Sequence, residues 1–131
     1  MSTPFDNVAY VSLETFRKDG SGVQTPVWIA PLDGKLVIGT GGSSFKVKRI
    51  RNNSRVRLAT CNASGKQILG PWYEGKARIV DATEAERGDA ALTAKYGLQR
   101  RLLTFFAKLS GRIKDRAIIE VTLEGEAGKN G

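Results

Sequence analysis

Residues 8–30, VAYVSLETFRKDGSGVQTPVWIA, read as two strands folded about one turn. In residues 8–17, Ala9, Val11 and Leu13 alternate with Tyr10, Ser12 and Glu14, the period-two pattern of a strand with one buried face. Lys18-Asp19-Gly20-Ser21-Gly22 supplies the turn, because Asp-Gly accepts the positive φ angles that a tight hairpin needs. The second strand, residues 23–30, carries Pro26, which has no N–H to give to a ladder. That proline marks an edge, a bulge, or a stretch of backbone that faces a ligand.

Outward from this hairpin the same punctuation repeats. Asp33-Gly34 makes the next turn and Lys35–Thr40 a third strand. Gly41-Gly42-Ser43-Ser44 leads into Phe45–Asn53, where a serine N-cap and the Val47/Ile50 stripe predict a short helix with a cationic face. Residues 55–61 alternate again, with Val56, Leu58 and Thr60 inward, and a longer strand is expected from about Ile68 to Val80, interrupted near Gly70-Pro71. The period then changes. Thr83-Glu84-Ala85-Glu86 fits a capping box, with a helix to Tyr96 that Gly97 is placed to end. Leu98, Leu102, Phe105 or Phe106, and Leu109 predict a second helix to Ser110-Gly111. Arg116–Glu124 closes the chain as a strand that buries Ala117, Ile119, Val121 and Leu123, and residues 125–131 read as a frayed tail. The expected fold is mainly β: a single domain over residues 1–131 with its core at about 8–124, six antiparallel strands closed into a small barrel, and helices over one opening.

Composition sets limits on chemistry. The chain has 131 residues, 40% of them apolar and 26% charged, about one ordinary globular domain. It has no histidine and one cysteine, Cys61, so Ser-His-Asp or Cys-His catalysis, the usual zinc sites and an internal disulfide are excluded. Cys61 itself reads as a small buried hydrophobe. No apolar run approaches the roughly 20 residues of a membrane span, and the polar start, Met1 to Asn7, lacks a signal-peptide layout, so a cytoplasmic location is expected.

The net charge is +8, and it is unevenly spread. Lys46, Lys48, Arg49, Arg51, Arg55 and Arg57 follow one another with no acid between them, whereas Asp81, Glu84, Glu86 and Asp89 meet only Arg87. A polyanionic partner is implied: nucleic acid, a membrane surface or a phosphorylated small molecule. Single-strand binding needs aromatics among the cations, and only Phe45 qualifies. A membrane surface needs a large apolar face that this helix lacks. Neither nucleic acid nor membrane is expected as a partner.

Gly39-Thr40-Gly41-Gly42-Ser43-Ser44-Phe45-Lys46 is neither a Walker A loop nor G-x-G-x-x-G. It places flexible backbone, two serine hydroxyls and a lysine at a helix start, where an anion is favoured. A glycine-rich turn beside a solvated helix is the alternative. Trp28, Trp72 and Tyr73 read as core or dimer-interface aromatics, and Glu74 and Glu120 have no evident partner to raise a carboxyl pKa. Acid–base hydrolysis has no machinery here, so any chemistry is brought by a cofactor.

Thr15-Phe16-Arg17-Lys18-Asp19-Gly20, Thr25-Pro26-Val27-Trp28 and Ser44-x-Lys46-x-x-x-Ile50-x-x-Asn53 occur in an order that resembles the pyridoxamine-phosphate-oxidase-like split-barrel superfamily. Arg55–Asn62, Glu74-Gly75-Lys76-Ala77-Arg78 and Lys95-Tyr96-Gly97 make the chain most similar to its B-type flavin/deazaflavin oxidoreductases, which use coenzyme F420. The resemblance spans roughly residues 8–123, although Thr60-Cys61-Asn62-Ala63-Ser64 departs from the family's pattern. It implies an FMN-binding type of split barrel and a homodimer with the cofactor in a groove between subunits. Lys46 matches the position that holds the cofactor phosphate, with Ser43, Ser44 and Thr40 beside it. Thr25, Pro26, Val27 and Trp28 match the strand along the ring, and Lys48, Arg49 and Arg51 are implied partners of the oligoglutamate tail. The implied activity is hydride transfer from reduced F420 to a small organic substrate, with water or a tyrosine such as Tyr73 as proton donor and no side chain as covalent catalyst. An FMN-dependent enzyme of the same fold, or a carrier that binds F420 without turnover, is the alternative.

Overall fold

A computed structural model describes residues 3–97 and 116–126. The expected second helix over 98–111 and the end of the tail lie outside them. The strands are β1 (Val11–Phe16), β2 (Gly22–Val27), β3 (Ala30–Leu32), β4 (Lys35–Gly41), β5 (Arg55–Thr60), β6 (Tyr73–Ile79) and β7 (Arg116–Glu126), with helices α1 (Phe45–Asn52) and α2 (Ala82–Tyr96). All strand pairs are antiparallel, in the order β2-β1-β5-β6-β7-β4-β3.

The described residues thus hold seven strands where six were expected. The added one is β3, a three-residue strand that the Asp33-Gly34 turn folds onto β4. Both turn residues take positive φ, 54° and 78°. The ladder does not close as the expected barrel would. β2 and β3 stand at its two ends, and Trp28-Ile29 carries the chain across the split between them. The long strand expected over 68–80 is shorter, running from Tyr73 to Ile79, and Ile68 makes only an isolated bridge to Cys61. Pro71 has no N–H to extend it. At the other end β7 continues to Glu126, past the point where the tail was expected to fray.

Register divides the sheet into two faces. Leu13 faces Leu58 and Thr25 across its neighbours, and Ala77 faces Val121, so Leu13, Leu58, Ala77 and Val121 share the interior face. There they form one core with Val11, Ile29, Leu36, Ile38, Val56 and Ile119. Phe5, only 1% exposed, joins this core from before β1. α1 plugs the interior by burying Val47 and Ile50. α2 does not sit over an opening. It lies on the outer face of β3, β4 and β7, where Leu92 packs with Ala30, Val37 and Ile118. Gly88 permits the approach, since a Cβ there would stand 2.8 Å from Ile118 Cγ2. The helix cap also differs from the capping box. Asp81, not Thr83, is the N-cap, and its carboxylate accepts from the Glu84 N–H at 2.8 Å.

Candidate functional site

The two ends of the ladder enclose an open-sided hollow of about 310 Å³, a size within the ordinary range of ligand pockets. Pro26, Val27 and Trp28 line it from the end of β2, and Gly39 and Thr40 from β4. Lys46, in the first turn of α1, Tyr10 and Ala63 complete it. Five sequence-separated stretches therefore meet at the split, because β2 and β4 lie near opposite ends of the sheet order.

Lys46 is half-buried, and among the described residues no carboxylate pairs with it. Burial lowers its pKa below the usual lysine value, and the Arg49 guanidinium lowers it further. A desolvated ammonium without a counter-charge is costly alone and favourable beside an anion. Ser44 is the N-cap of α1 by backbone position, yet its hydroxyl makes no capping hydrogen bond. It lies instead 3.4 Å from Thr40 Oγ1. Ser44 thus gives no side-chain cap to the first N–H groups of α1, which lie next to two hydroxyls and an ammonium. That donor set fits a phosphate.

The remaining expected residues spread around this centre. Ser43 is exposed on the turn before α1. Thr25 is half-buried on the interior face opposite Leu13, outside the hollow's lining. Arg49 turns to β1, where its Nε donates to Thr15 Oγ1 at 2.6 Å. Burial and the Arg17 guanidinium depress its pKa. Lys48 is exposed, with its ammonium 5.4 Å from the Phe45 ring centre. Arg51 lines a different hollow, with Ala77, Arg78 and Asp81, on the β6 side of α1. Tyr73 packs edge-on against Phe5 at 5.3 Å in the core, so the tyrosine at the hollow is Tyr10.

Sequence reasoning missed Tyr10, Gly39 as a wall and Ala63. It also gave no role to Lys95 and Tyr96, which reach the split from the end of α2. The Tyr96 ring stacks on Trp28 at 4.7 Å and 8°. Its hydroxyl accepts from the Ile29 N–H at 3.0 Å and lies 2.9 Å from both Ile29 O and Ala9 O. Lys95 Nζ donates to Ile29 O at 2.7 Å and Phe5 O at 3.3 Å. Burial raises the Tyr96 phenol's pKa and lowers that of Lys95, so the phenol keeps its proton at neutral pH. Beside the hollow the hairpin 62–67 folds over β2. Gly65, at φ +76°, comes so close to Pro26 that a Cβ would lie 2.9 Å from its Cδ. Cys61, at the base of this hairpin, is buried, and its thiol pKa is pushed up by desolvation, the state of an unreactive cysteine.

The described residues thus form an antiparallel half-barrel with a cationic, aromatic-walled hollow at its split. The chain belongs to the pyridoxamine 5'-phosphate oxidase family, whose profile matches residues 5–129. Comparison with curated protein sequences gave no match. Among solved structures, the conserved hypothetical protein Rv2991 from Mycobacterium tuberculosis is similar at a TM-score of 0.66 and 21% identity, covering 89% of this chain and 74% of that one. An F420 reductase is similar at 0.59 and 18%, covering 95% and 94%. HutZ, the heme storage protein from Vibrio cholerae, is similar at 0.65 and 12%, covering 90% and 86%. At these identities the likeness is one of fold.

Proposed function

We propose that the chain is an oxidoreductase that binds coenzyme F420 and passes hydride to a small organic substrate. The observation that carries this reading is Lys46, a half-buried ammonium with no carboxylate partner among the described residues, set beside Thr40, Ser44 and the helix start. When bound, reduced F420 supplies the hydride; the chain supplies position. Lys46, Ser44, Ser43 and Thr40 hold the phosphate, and Pro26, Val27 and Trp28 present an apolar wall to the ring. Lys48 and Arg51, exposed along α1, are the cations offered to the tail carboxylates, with Arg49 closer to β1. The net charge of +8 and the likeness to an F420 reductase favour a ligand more anionic than FMN. Catalysis then rests on proximity and exclusion of water. A haem reading has less support, since the chain has no histidine to serve as an axial ligand and its one cysteine is buried.

The active form in this reading is a homodimer. Phe45, Ile68 and Leu69 are large apolar side chains left exposed, the kind of surface a second subunit would cover. Fluorescence titration with F420 and FMN side by side tests the cofactor. Tighter binding of F420 supports the reading, FMN alone favours the flavin rival, and binding of neither overturns both. Turnover of reduced F420 with quinones and enones separates an enzyme from a carrier.

A further inference from the structure

We propose that Tyr96 is the positioning residue of the hollow: one hydroxyl pins the backbone beside both aromatic wall residues, Tyr10 and Trp28, while its ring backs the indole. The inference rests on the ring-binding reading above and names the device that fixes the walls around the ring.

The need for such a device follows from the split. The β1–β2 register ends at Val11 opposite Val27, and β3 begins at Ala30. Trp28 and Ile29 therefore cross between the ends of the ladder with no strand to hold them. Buried backbone groups must be paired all the same. Here side chains from α2 do it. The Ile29 N–H gives its hydrogen bond to the Tyr96 oxygen, and the Ile29 carbonyl accepts from Lys95. With that carbonyl served by an ammonium at 2.7 Å, the single phenolic proton is left for Ala9 O at 2.9 Å. Ala9 precedes Tyr10, and Ile29 follows Trp28. One oxygen thus ties together the two chain segments that carry the hollow's aromatics.

Tyr96 does not itself line the hollow. It acts through Tyr10 and Trp28. The helix stops at once behind it, at Gly97, whose φ of 58° ends α2 with the Tyr96 ring against the indole. Fixing two walls in advance spares a planar ligand the ordering of a mobile strand crossing, so the contribution is to ring affinity and not to phosphate affinity.

Tyr96→Phe keeps the stacked ring and removes only the pin. In a Trp72→Phe background Trp28 is the sole indole. Tyr96→Phe is expected to increase acrylamide quenching of Trp28 about twofold without ligand, and to weaken FMN or F420 about tenfold. Inorganic phosphate, measured by calorimetry, is expected to bind unchanged. Lys95→Met, which frees the Ile29 carbonyl to compete for the phenolic proton, is expected to weaken the same ring ligands about threefold. The proposal is overturned if both variants keep wild-type ring affinity and indole shielding. It is equally overturned if ring ligand and phosphate weaken together with a loss of Tm, the mark of a merely structural residue. If the wild type binds neither FMN nor F420, the cofactor reading fails, and unchanged quenching in Tyr96→Phe would separately refute the pin.

Discussion

One run of sequence, Lys46 to Arg57, contributes two pairs of cations with opposite fates. Arg55 and Arg57, on the outer face of β5, meet acids brought by other strands. Arg57 Nη1 donates to Glu14 Oε1 at 3.1 Å, and Arg55 Nε to Glu74 Oε1 at 3.0 Å. Arg57 Nε also lies 3.0 Å from Glu74 Oε2, but out of line for a hydrogen bond, so that contact is Coulombic alone. The Phe16 ring under Arg55 and the Trp72 ring near Arg57, at 4.5 and 5.1 Å, add cation–π contact. Lys46 and Arg49, on α1, meet no acid among the described residues; each is desolvated, and each has another cation for a neighbour. Pairing follows from register, since β1 and β6 flank β5 and set Glu14 and Glu74 opposite Arg57. Cations that the fold neutralises hold it together. Cations that it leaves bare are the ones a ligand can use.

The sharpest way to break this contrast is to remove one cation from each group. Lys46→Ala is expected to weaken F420 or FMN about 100-fold, about 2.7 kcal/mol, the loss of a charge-assisted contact. Its Tm should stay the same or rise, because an unpaired desolvated charge is gone. Arg57→Ala should do the reverse. Among the described residues Glu14 is left with only Gln24 Nε2 at 3.3 Å in a position 9% exposed, while Glu74 keeps Arg55. Since Arg57 is partly exposed, the cost is placed at about 2 kcal/mol, below that of a fully buried pair, or roughly 8 °C in Tm. Ligand affinity should change less than about twofold. Titration and thermal melts of the two variants check both halves. Loss of affinity in Arg57→Ala, or of Tm in Lys46→Ala, would erase the distinction.

The same contrast shows what was legible beforehand. The β1–β2 hairpin, the β3–β4 turn and α1 are written in local code: Asp19-Gly20, Asp33-Gly34, and Val47 with Ile50 behind a Gly-Ser step. Five of the lining residues, Pro26, Val27, Trp28, Thr40 and Lys46, were expected at the site and do meet at the hollow. The cap of α2 was not legible, because Asp81 and Thr83 each stand three residues before an acceptable N3 position. The earlier start is the one adopted, in a helix whose Ala85, Gly88 and Leu92 pack toward Val37 and Ile118. Nor could the sequence pair Arg57 with Glu14, 43 positions away, or Tyr96 with Ile29, 67 away. Such partners depend on which strands lie side by side, and local pattern carries no such information.

A pH titration sharpens the bare half. The Lys46 amine is charged below its own pKa, and only the charged form attracts a phosphate. Burial and Arg49 hold that pKa under the ordinary 10.5. Ligand affinity should therefore begin to fall at a pH below 10.5, by about tenfold per pH unit once the amine is mostly neutral. Lys46→Arg, whose guanidinium stays charged throughout, should remove this alkaline limb. An unchanged limb in that variant would assign it to another group.

The smallest effect tests the paired half, at a neighbour of Glu14 on the outer face of β1. Ser12 is 1% exposed, and its hydroxyl finds no hydrogen-bond partner among the described residues. Its cross-strand neighbours are Pro26 and Ala59, neither of which offers a polar side chain. A buried hydroxyl without a partner costs stability, and removing it leaves nothing unpaired. Ser12→Ala is accordingly expected to leave the protein as stable or to stabilise it slightly, by up to about 1 kcal/mol, with ligand affinity unchanged. Because Ser12 lies two residues from Glu14 on the same face, the sign of this small change reports on how that face is covered. Destabilisation would mean that the hydroxyl is satisfied in the assembled protein by a group that covers β1 from outside. Comparing the shift at dilute and concentrated protein then separates a second copy from the chain's own residues, since only the former depends on concentration.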